Sequence, residues 1–326
     1  MQDFEILVLR GANPCGVSTT HDILAAAALL AARQGVAAPR WRFYSPSGGR
    51  VALQGGIDIE TRKLPGRKGR KDALLLVPGI WVSGPLELRA RLREDDCRRA
   101  VRSIAAHVAN GGQVAASCSS VFLLEAAGLL VGRRATTAWW LAPELARIAP
   151  NTTIESQRIL CVDGPVMTAG AAFAQSDVLL YLLRRRFGVK LADGVSRVLL
   201  LQERTEQAEF VAPAMLSGGD ALVDWLTDRI EKALPDVPAI SELAEEAGVS
   251  ERTLSRRVRK VSGMSPRKMV QSIRLHRARS LLQRTHMGVE QVAAEVGYRD
   301  ATALRRLVRR WSGATPRQIR SASMVE

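Results

Sequence analysis

The sequence predicts two domains: an α/β domain on a parallel sheet, then an all-α domain holding two helix-turn-helix units. Three observations carry this. Apolar strand runs alternate with helical stretches over about the first 190 residues. Periodicity is lost around residues 203–218, where Gly, Pro and charge accumulate. The rest of the chain then repeats one helix–turn–helix pattern.

The elements follow in order. "FEILVLR" (4–10) reads as a buried strand, and "HDILAAAALLAAR" (21–33) as an apolar helix. "RWRFYSP" (40–46) and "DALLLVPG" (72–79) are further strands, the latter ending in Pro-Gly. Residues 85–110 read as helical and charged on one side, with Cys97 on the helix surface and His107 on the helix before the elbow strand. "GGQVAASC" (111–118) is a strand after a glycine turn, followed by a helix to Leu130. "RILCVDGPVMTAG" (158–170) suggests more strands, and "AAFAQSDVLLYLLRRRFG" (171–188) a strong helix. "DALVDWLTDRIEKAL" (220–234) is amphipathic, with Leu222, Trp225, Leu226 and Ile230 on one face. The expected boundaries are 1–202 for the sheet domain, 203–238 for a linker and connecting helix, 239–320 for the helical domain and 321–326 for a tail.

Charge points to a partner. The chain of 326 residues carries a net charge of +15. Residues 239–326 hold 18 Lys+Arg against 8 Asp+Glu, so the basic excess is concentrated in the helical domain. A basic block inside a folded pattern favours a polyanion, with nucleic acid the first expectation. Four cysteines form no C-x-x-C pair and four histidines are scattered, so neither a metal site nor a cofactor is expected. The start "MQDFEILVLR" lacks a basic signal-peptide region, and the apolar run "ILAAAALLAA" (23–32) is short of a membrane span. These features lead us to expect a cytoplasmic protein without a membrane partner.

In the repeat, Ala244 and Gly248 match Ala293 and Gly297; Leu254, Ser262-Gly263 and Pro266 match Leu304, Ser312-Gly313 and Pro316. The helix through 267–284 joins the copies. Gly248 suits a C-cap, and Ser250 and Asp300 suit N-caps. Leu254, Val258 and Val261 form the buried stripe of one second helix; Leu304, Val308 and Trp311 form that of the other. The period therefore turns Arg252, Ser255, Arg256 and Arg259 outward in the first copy, and Thr302, Arg305, Arg306 and Arg309 in the second. A second helix braced by a first is the geometry that enters a major groove. Arginine there can fork onto guanine or clamp phosphate, and spacing alone does not say which.

Residues 239–320, above all "LAEEAGVSERTLSRRVRKVSGMSPRKMVQSIRLHRARSLL" and "VAAEVGYRDATALRRLVRRWSGATPRQIR", closely resemble the AraC/XylS family of transcriptional regulators. By position, the resemblance makes Arg252, Ser255 and Arg256 groove residues of the first unit, and Ala301, Thr302, Arg305 and Arg306 those of the second. The family carries aromatics where Val258, Val308 and Met269 stand, a change in core packing.

Residues 4–200 resemble the class I glutamine-amidotransferase-like fold in its PfpI-like branch, a flavodoxin-like parallel sheet. The most specific part is "ASCSSVFLLEAAGLLVGRRATTAWW", which presents Cys118 at a strand-to-helix turn. A helix N-terminus is expected to favour the Cys118 thiolate. Catalysis also needs a base and a group to orient it. Where the fold often has a "TTHW"-like histidine this chain reads Thr136-Thr137-Ala138-Trp139, and where relatives place an acid it has Gly16. His21 is not placed at the elbow by anything in the sequence. Cys118 and Ser119 are thus candidate ligand-binding rather than catalytic residues, since open α/β sheets bind ligands at the carboxyl ends of their strands. Cys15 and Cys161 read as apolar fillers.

The fusion of these two domains resembles the GlxA-like regulators. It implies a sequence-specific regulator, more an activator than a repressor, that binds double-stranded promoter DNA as a homodimer and works with RNA polymerase. It also implies a small-molecule effector, with amino acids and quaternary amines as typical classes. The alternative is a cysteine-dependent amidase, glyoxalase or peptidase with an appended DNA-binding domain.

Overall fold

The computed structural model describes residues 3–65, 74–201, 220–262, 264–312 and 315–321. The linker expected at 203–218 and the tail from 322 onward lie outside them. The chain divides into two compact units, Met1–Arg204 and Thr205–Glu326.

The first unit begins with β1 (Phe4–Leu7), α1 (Pro14–Gln34), β2 (Trp41–Ser45), β3 (Gly49–Ala52), β4 (Asp58–Lys63) and β5 (Leu74–Val77). Then come α2 (Pro85–Leu92), α3 (Asp95–Ala109), β6 (Gln113–Ser117), a 3-10 turn at Cys118–Ser120 and α4 (Val121–Ala126). It closes with β7 (Arg134–Ala135), α5 (Ala142–Ile148), β8 (Thr153–Ile154), β9 (Leu160–Asp163), β10 (Val166–Ala169), α6 (Ala174–Phe187) and α7 (Val189–Val198). The main sheet has eight strands in the order β3-β4-β2-β1-β5-β6-β10-β9. Pairings from β4 through β10 are parallel, and only the edge strands β3 and β9 pair antiparallel. The expected parallel-sheet architecture is present, with an antiparallel strand at each edge.

The central strands "FEIL", "LLLV" and "VMTA" are buried along their whole length, because helices cover both faces. Phe4, Ile6, Val8 and Leu76 join one core with residues of α1, α6 and α7. Leu7, Leu75, Val77 and Val114 join the other with residues of α3 and α4. Helix α1 is long and apolar enough to cross a membrane by length and composition alone. Here it turns Val17, Leu24, Ala27 and Ala31 into the sheet.

Several local readings need correction. The first helix starts at Pro14, seven residues before the apolar run, because Pro at the first helical position is preorganised for it. The stretch read as helical over 85–110 forms two helices, divided at Arg93-Glu94, where Glu94 is extended. Arg91 pins that corner. It donates to both carboxylate oxygens of Asp96, at 2.7 and 2.6 Å, to the Arg10 carbonyl at 2.8 Å and to the Cys97 sulfur at 3.0 Å. Cys97 is therefore fully buried rather than surface-exposed, and burial pushes its thiol up to about 12. The helix after the elbow ends at Ala126, short of Leu130. Strands β3 and β4 escape the hydrophobic pattern because most of their residues are exposed or half-buried.

The second unit holds α8 (Ala221–Ala233), α9 (Ile240–Glu246), α10 (Glu251–Ser262), α11 (Pro266–Arg284), α12 (Val289–Glu295), α13 (Ala301–Ser312) and α14 (Pro316–Ser321). Helix α8, read from sequence as part of a connector, is built into this unit. Its Val223, Leu226 and Ile230 are buried, and Arg229 pairs with Glu246 of α9 at 2.7 Å. Asp220 caps α8 through the Leu222 amide and also accepts from Arg257 of α10 at 2.9 Å.

Candidate nucleic-acid interface and ligand site

The two helical repeats have the same local build. In the first, Gly248 takes φ 66° after α9, a conformation glycine adopts without strain. The Ser250 hydroxyl then accepts the Thr253 amide at 3.2 Å and starts α10. In the second, Gly297 takes φ 79°, and Asp300 accepts the Thr302 amide at 2.7 Å and starts α13. That bond holds the Asp300 carboxyl below its usual range.

Each second helix is amphipathic as the sequence requires. Leu254 and Val258 of α10, and Leu304 and Val308 of α13, are buried. Val261 is half-buried, and the side chain of Trp311 lies outside the described residues. Arg252, Arg256 and Arg259 are exposed, with Ser255 half-buried beside them. Thr302, Arg305, Arg306 and Arg309 are exposed, with Ala301 half-buried. Thr302, Arg305, Arg306 and Arg309 line, with Arg317, a basic groove of about 870 Å³. Arg305 is tied to Glu290 of α12, and Arg257, on the flank of α10, to Asp220. Sequence reasoning missed both ion pairs, because they join residues distant along the chain.

The elbow lies at the carboxyl end of β6. Cys118 has φ 54°, a left-handed conformation rare for a residue with a side chain. The turn is over-determined by hydrogen bonds. The Cys118 amide donates to the Gly170 carbonyl at 2.7 Å, and Thr137 Oγ1 donates to the Cys118 carbonyl at 2.7 Å. Ser120 Oγ donates to the Pro78 carbonyl at 2.7 Å. A Cβ on Gly79 would lie 2.8 Å from Cys118 Cβ, so only glycine fits beside the elbow.

Two expectations fail here. The Cys118 thiol is buried, and desolvation pushes it up to about 11. Burial outweighs the helix end, because the 3-10 turn and short α4 offer little dipole to a group out of water. Ser119 is fully buried, and its hydroxyl donates to the Ile80 carbonyl and accepts the Ile80 amide. It ties two loops together rather than facing a ligand.

Among the described residues no histidine stands at the elbow. His107 is buried at the opposite end of β6, with Nε2 3.0 Å from the Gln113 carbonyl oxygen. His21 is exposed and packs against Trp41 and Phe43. Ala138 is buried, and Gly16 sits against Pro78. Cys161 is buried as expected, whereas Cys15 is half-exposed.

Sequence reasoning also missed a group of aromatics. Trp81 follows Ile80, Trp139 and Trp140 follow Ala138, and Phe173 lies three residues after Gly170. Ile80 and Gly170 follow β5 and β10 of the main sheet, and Ala138 follows β7, which pairs with β8 in a small separate sheet. Trp81, Trp140 and Phe173 are 54%, 36% and 63% exposed. Isolated exposed aromatics need no explanation, but three on loops that are hydrogen-bonded to the elbow are candidates for contact with a ligand.

Comparison with known proteins agrees with this geometry. Residues 243–322 match the family of helix-turn-helix domains. The HTH-type transcriptional regulator CdhR of Pseudomonas aeruginosa is 28% identical over 98% of this chain and 92% of its own length. The HTH-type transcriptional regulator GlxA of Rhizobium meliloti is 26% identical over 99% of this chain and 97% of its own. The chain is thus similar to GlxA-like regulators over nearly its whole length, and its second unit carries the helix-turn-helix domain. A ThiJ/PfpI family protein from Pseudomonas syringae superposes with a TM-score of 0.52 at 17% identity, covering 79% of this chain and 91% of that one. That likeness places the regulator's first unit in the PfpI-like fold. As a helix-turn-helix regulator it binds double-stranded DNA.

Proposed function

We propose that this regulator is a cytoplasmic, homodimeric activator that works with RNA polymerase and is controlled by a small metabolite bound beside the elbow. The sensor occupies residues 1–202, a linker follows from 203, and α8 joins the helix-turn-helix residues 239–320 in the DNA-binding unit. Arg252, Ser255, Arg256 and Arg259 on α10, and Ala301, Thr302, Arg305, Arg306 and Arg309 on α13, form the DNA face. The observation that carries the effector reading is the elbow itself: a strained turn, locked by hydrogen bonds to loops that also carry the exposed Trp81, Trp140 and Phe173. Aromatic faces attract quaternary ammonium groups, so quaternary amines are the first effectors to test, then amino acids.

A buried thiol pushed up to about 11, without a histidine beside it, supports a non-catalytic role. Genome-wide DNA occupancy, then a metabolite screen on reporters for the bound promoters, tests the whole proposal. Trp140→Ala should abolish or shift the effector response while leaving operator affinity unchanged. Turnover in a hydrolase and glyoxalase panel, lost in Cys118→Ala, would instead establish the enzyme alternative.

A further inference from the structure

A buried acid elsewhere in the first unit is unused by this scheme. Glu5 lies within β1, in register with Leu75 of β5 and Arg42 of β2. Its neighbours Phe4 and Ile6 enter the core beneath α1, so Glu5 points to the opposite face, where α3 lies. The residue is only 3% exposed. Among the described residues no hydrogen bond or ion pair reaches its carboxylate, and Arg42 across the strand pair is outside ion-pair distance. Its carboxylate oxygens are not buried among the core atoms but reach solvent through the cavity beside them, where a ligand can meet them.

The space beside Glu5 is open. A cavity of about 630 Å³ lies between the sheet and α3, lined by Glu5, Leu75, Arg99, Arg102, Ser103 and His107 among others. Arg99 is committed to Asp95, and His107 to the Gln113 carbonyl. Arg102 is exposed and makes no hydrogen bond or close ion pair among the described residues. The cavity thus joins an unpaired acid in its wall to an available guanidinium.

These charges select a ligand class. A simple anion would meet Glu5, and a simple cation would meet the arginines. Among the described residues no cluster of acids, cysteines or histidines is suited to a metal. We propose that this cavity is a second small-molecule site, which takes a zwitterion of the ω-amino-acid class. The ammonium group pairs with Glu5 and the carboxylate with Arg102. The site is separate from the elbow and does not depend on the effector reading there.

Calorimetric titration of the full-length protein tests the proposal, with 4-aminobutyrate and 5-aminovalerate as probes and butylamine and butyrate as half-ligands. At least one amino acid should bind, and each half-ligand should bind about tenfold or more weaker, since each lacks one charge-assisted contact. Glu5→Gln and Arg102→Ala should each weaken binding by about the same factor. Glu5→Gln should melt no lower than the wild type without ligand, because the carboxylate it replaces holds no hydrogen bond or ion pair among the described residues. Trp140→Ala, at the elbow, should bind as the wild type does. The proposal is overturned if neither amino acid binds, if Glu5→Gln and Arg102→Ala bind unchanged, or if Trp140→Ala alone loses binding. A Glu5→Gln protein that melts below the wild type would make Glu5 a structural residue and overturn it too. If Glu5→Gln fails to fold, the exposed Arg102→Ala change decides the question alone.

Discussion

The contrast between Arg305 and Arg306 gives the sharpest test of the DNA face. Both are exposed on α13, but Arg305 is tied to Glu290 while Arg306 makes no ion pair among the described residues. Arg306→Ala should weaken operator binding by about 1–3 kcal/mol if it forks onto a base. If it clamps phosphate, the loss should be uniform across sequences, and the log–log salt slope should fall by about 0.9. The candidate arginines Arg252, Arg256, Arg259, Arg305, Arg306 and Arg309 together bound the slope per protomer at about −5. Arg305 must leave Glu290 before it can reach DNA, so Arg305→Ala should cost less than Arg306→Ala. Glu290→Gln releases Arg305 and removes a negative charge near the phosphates, and should tighten binding severalfold at low salt. Fluorescence anisotropy on the footprinted operator, over a salt series, reads all three variants. Wild-type affinity and slope in Arg306→Ala would refute the assignment of α13 to the groove, and weaker binding by Glu290→Gln would refute the competition.

Other consequences are independent of the operator. Glu144 is held down to about 2 by hydrogen bonds from Arg147 and Arg89. Its folded value is depressed, so its contribution is complete above the ordinary 4.5 and is lost as pH falls toward 2. With half-exposed arginines we put it at about 1–2 kcal/mol, so urea unfolding should separate Glu144→Gln from the wild type at pH 7 and bring them together near pH 2. A Cβ on Gly297 would lie 2.2 Å from the Pro235 carbonyl oxygen, whereas one on Gly248 meets nothing within 4 Å. Gly297→Ala should therefore lower the melting temperature of the helical unit more than Gly248→Ala, which bears only backbone strain of about 1 kcal/mol; equal effects in calorimetry would refute the close approach. The Cys118 thiol should resist iodoacetamide at neutral pH until the sheet unfolds, and fast labelling by mass spectrometry would show that burial does not control it.

What could be read from sequence was whatever repeats over a few residues. The strands "FEIL" and "LLLV", the strong helix α6 and both helix–turn–helix copies stand where apolar period and turn chemistry put them. The outward faces of α10 and α13 were legible for the same reason, since 3.6 residues per turn sets which side chains share a side.

The tertiary structure decided whatever depends on residues far apart in the chain. The sequence suggested a helix end that would activate Cys118, but packing against Gly79 and the surrounding core removed the thiol from water. Ser119 became a tie to Ile80, 39 residues away, and Asp220 a clamp on Arg257, 37 residues away. Glu5 lies in a strand the sequence reads as buried, and only the fold sets its carboxylate against the cavity beneath α3. Local pattern sets which way a side chain points. Its solvation and partners are set by non-local segments, and these determine whether a thiol ionises, a hydroxyl is free or an acid awaits a ligand.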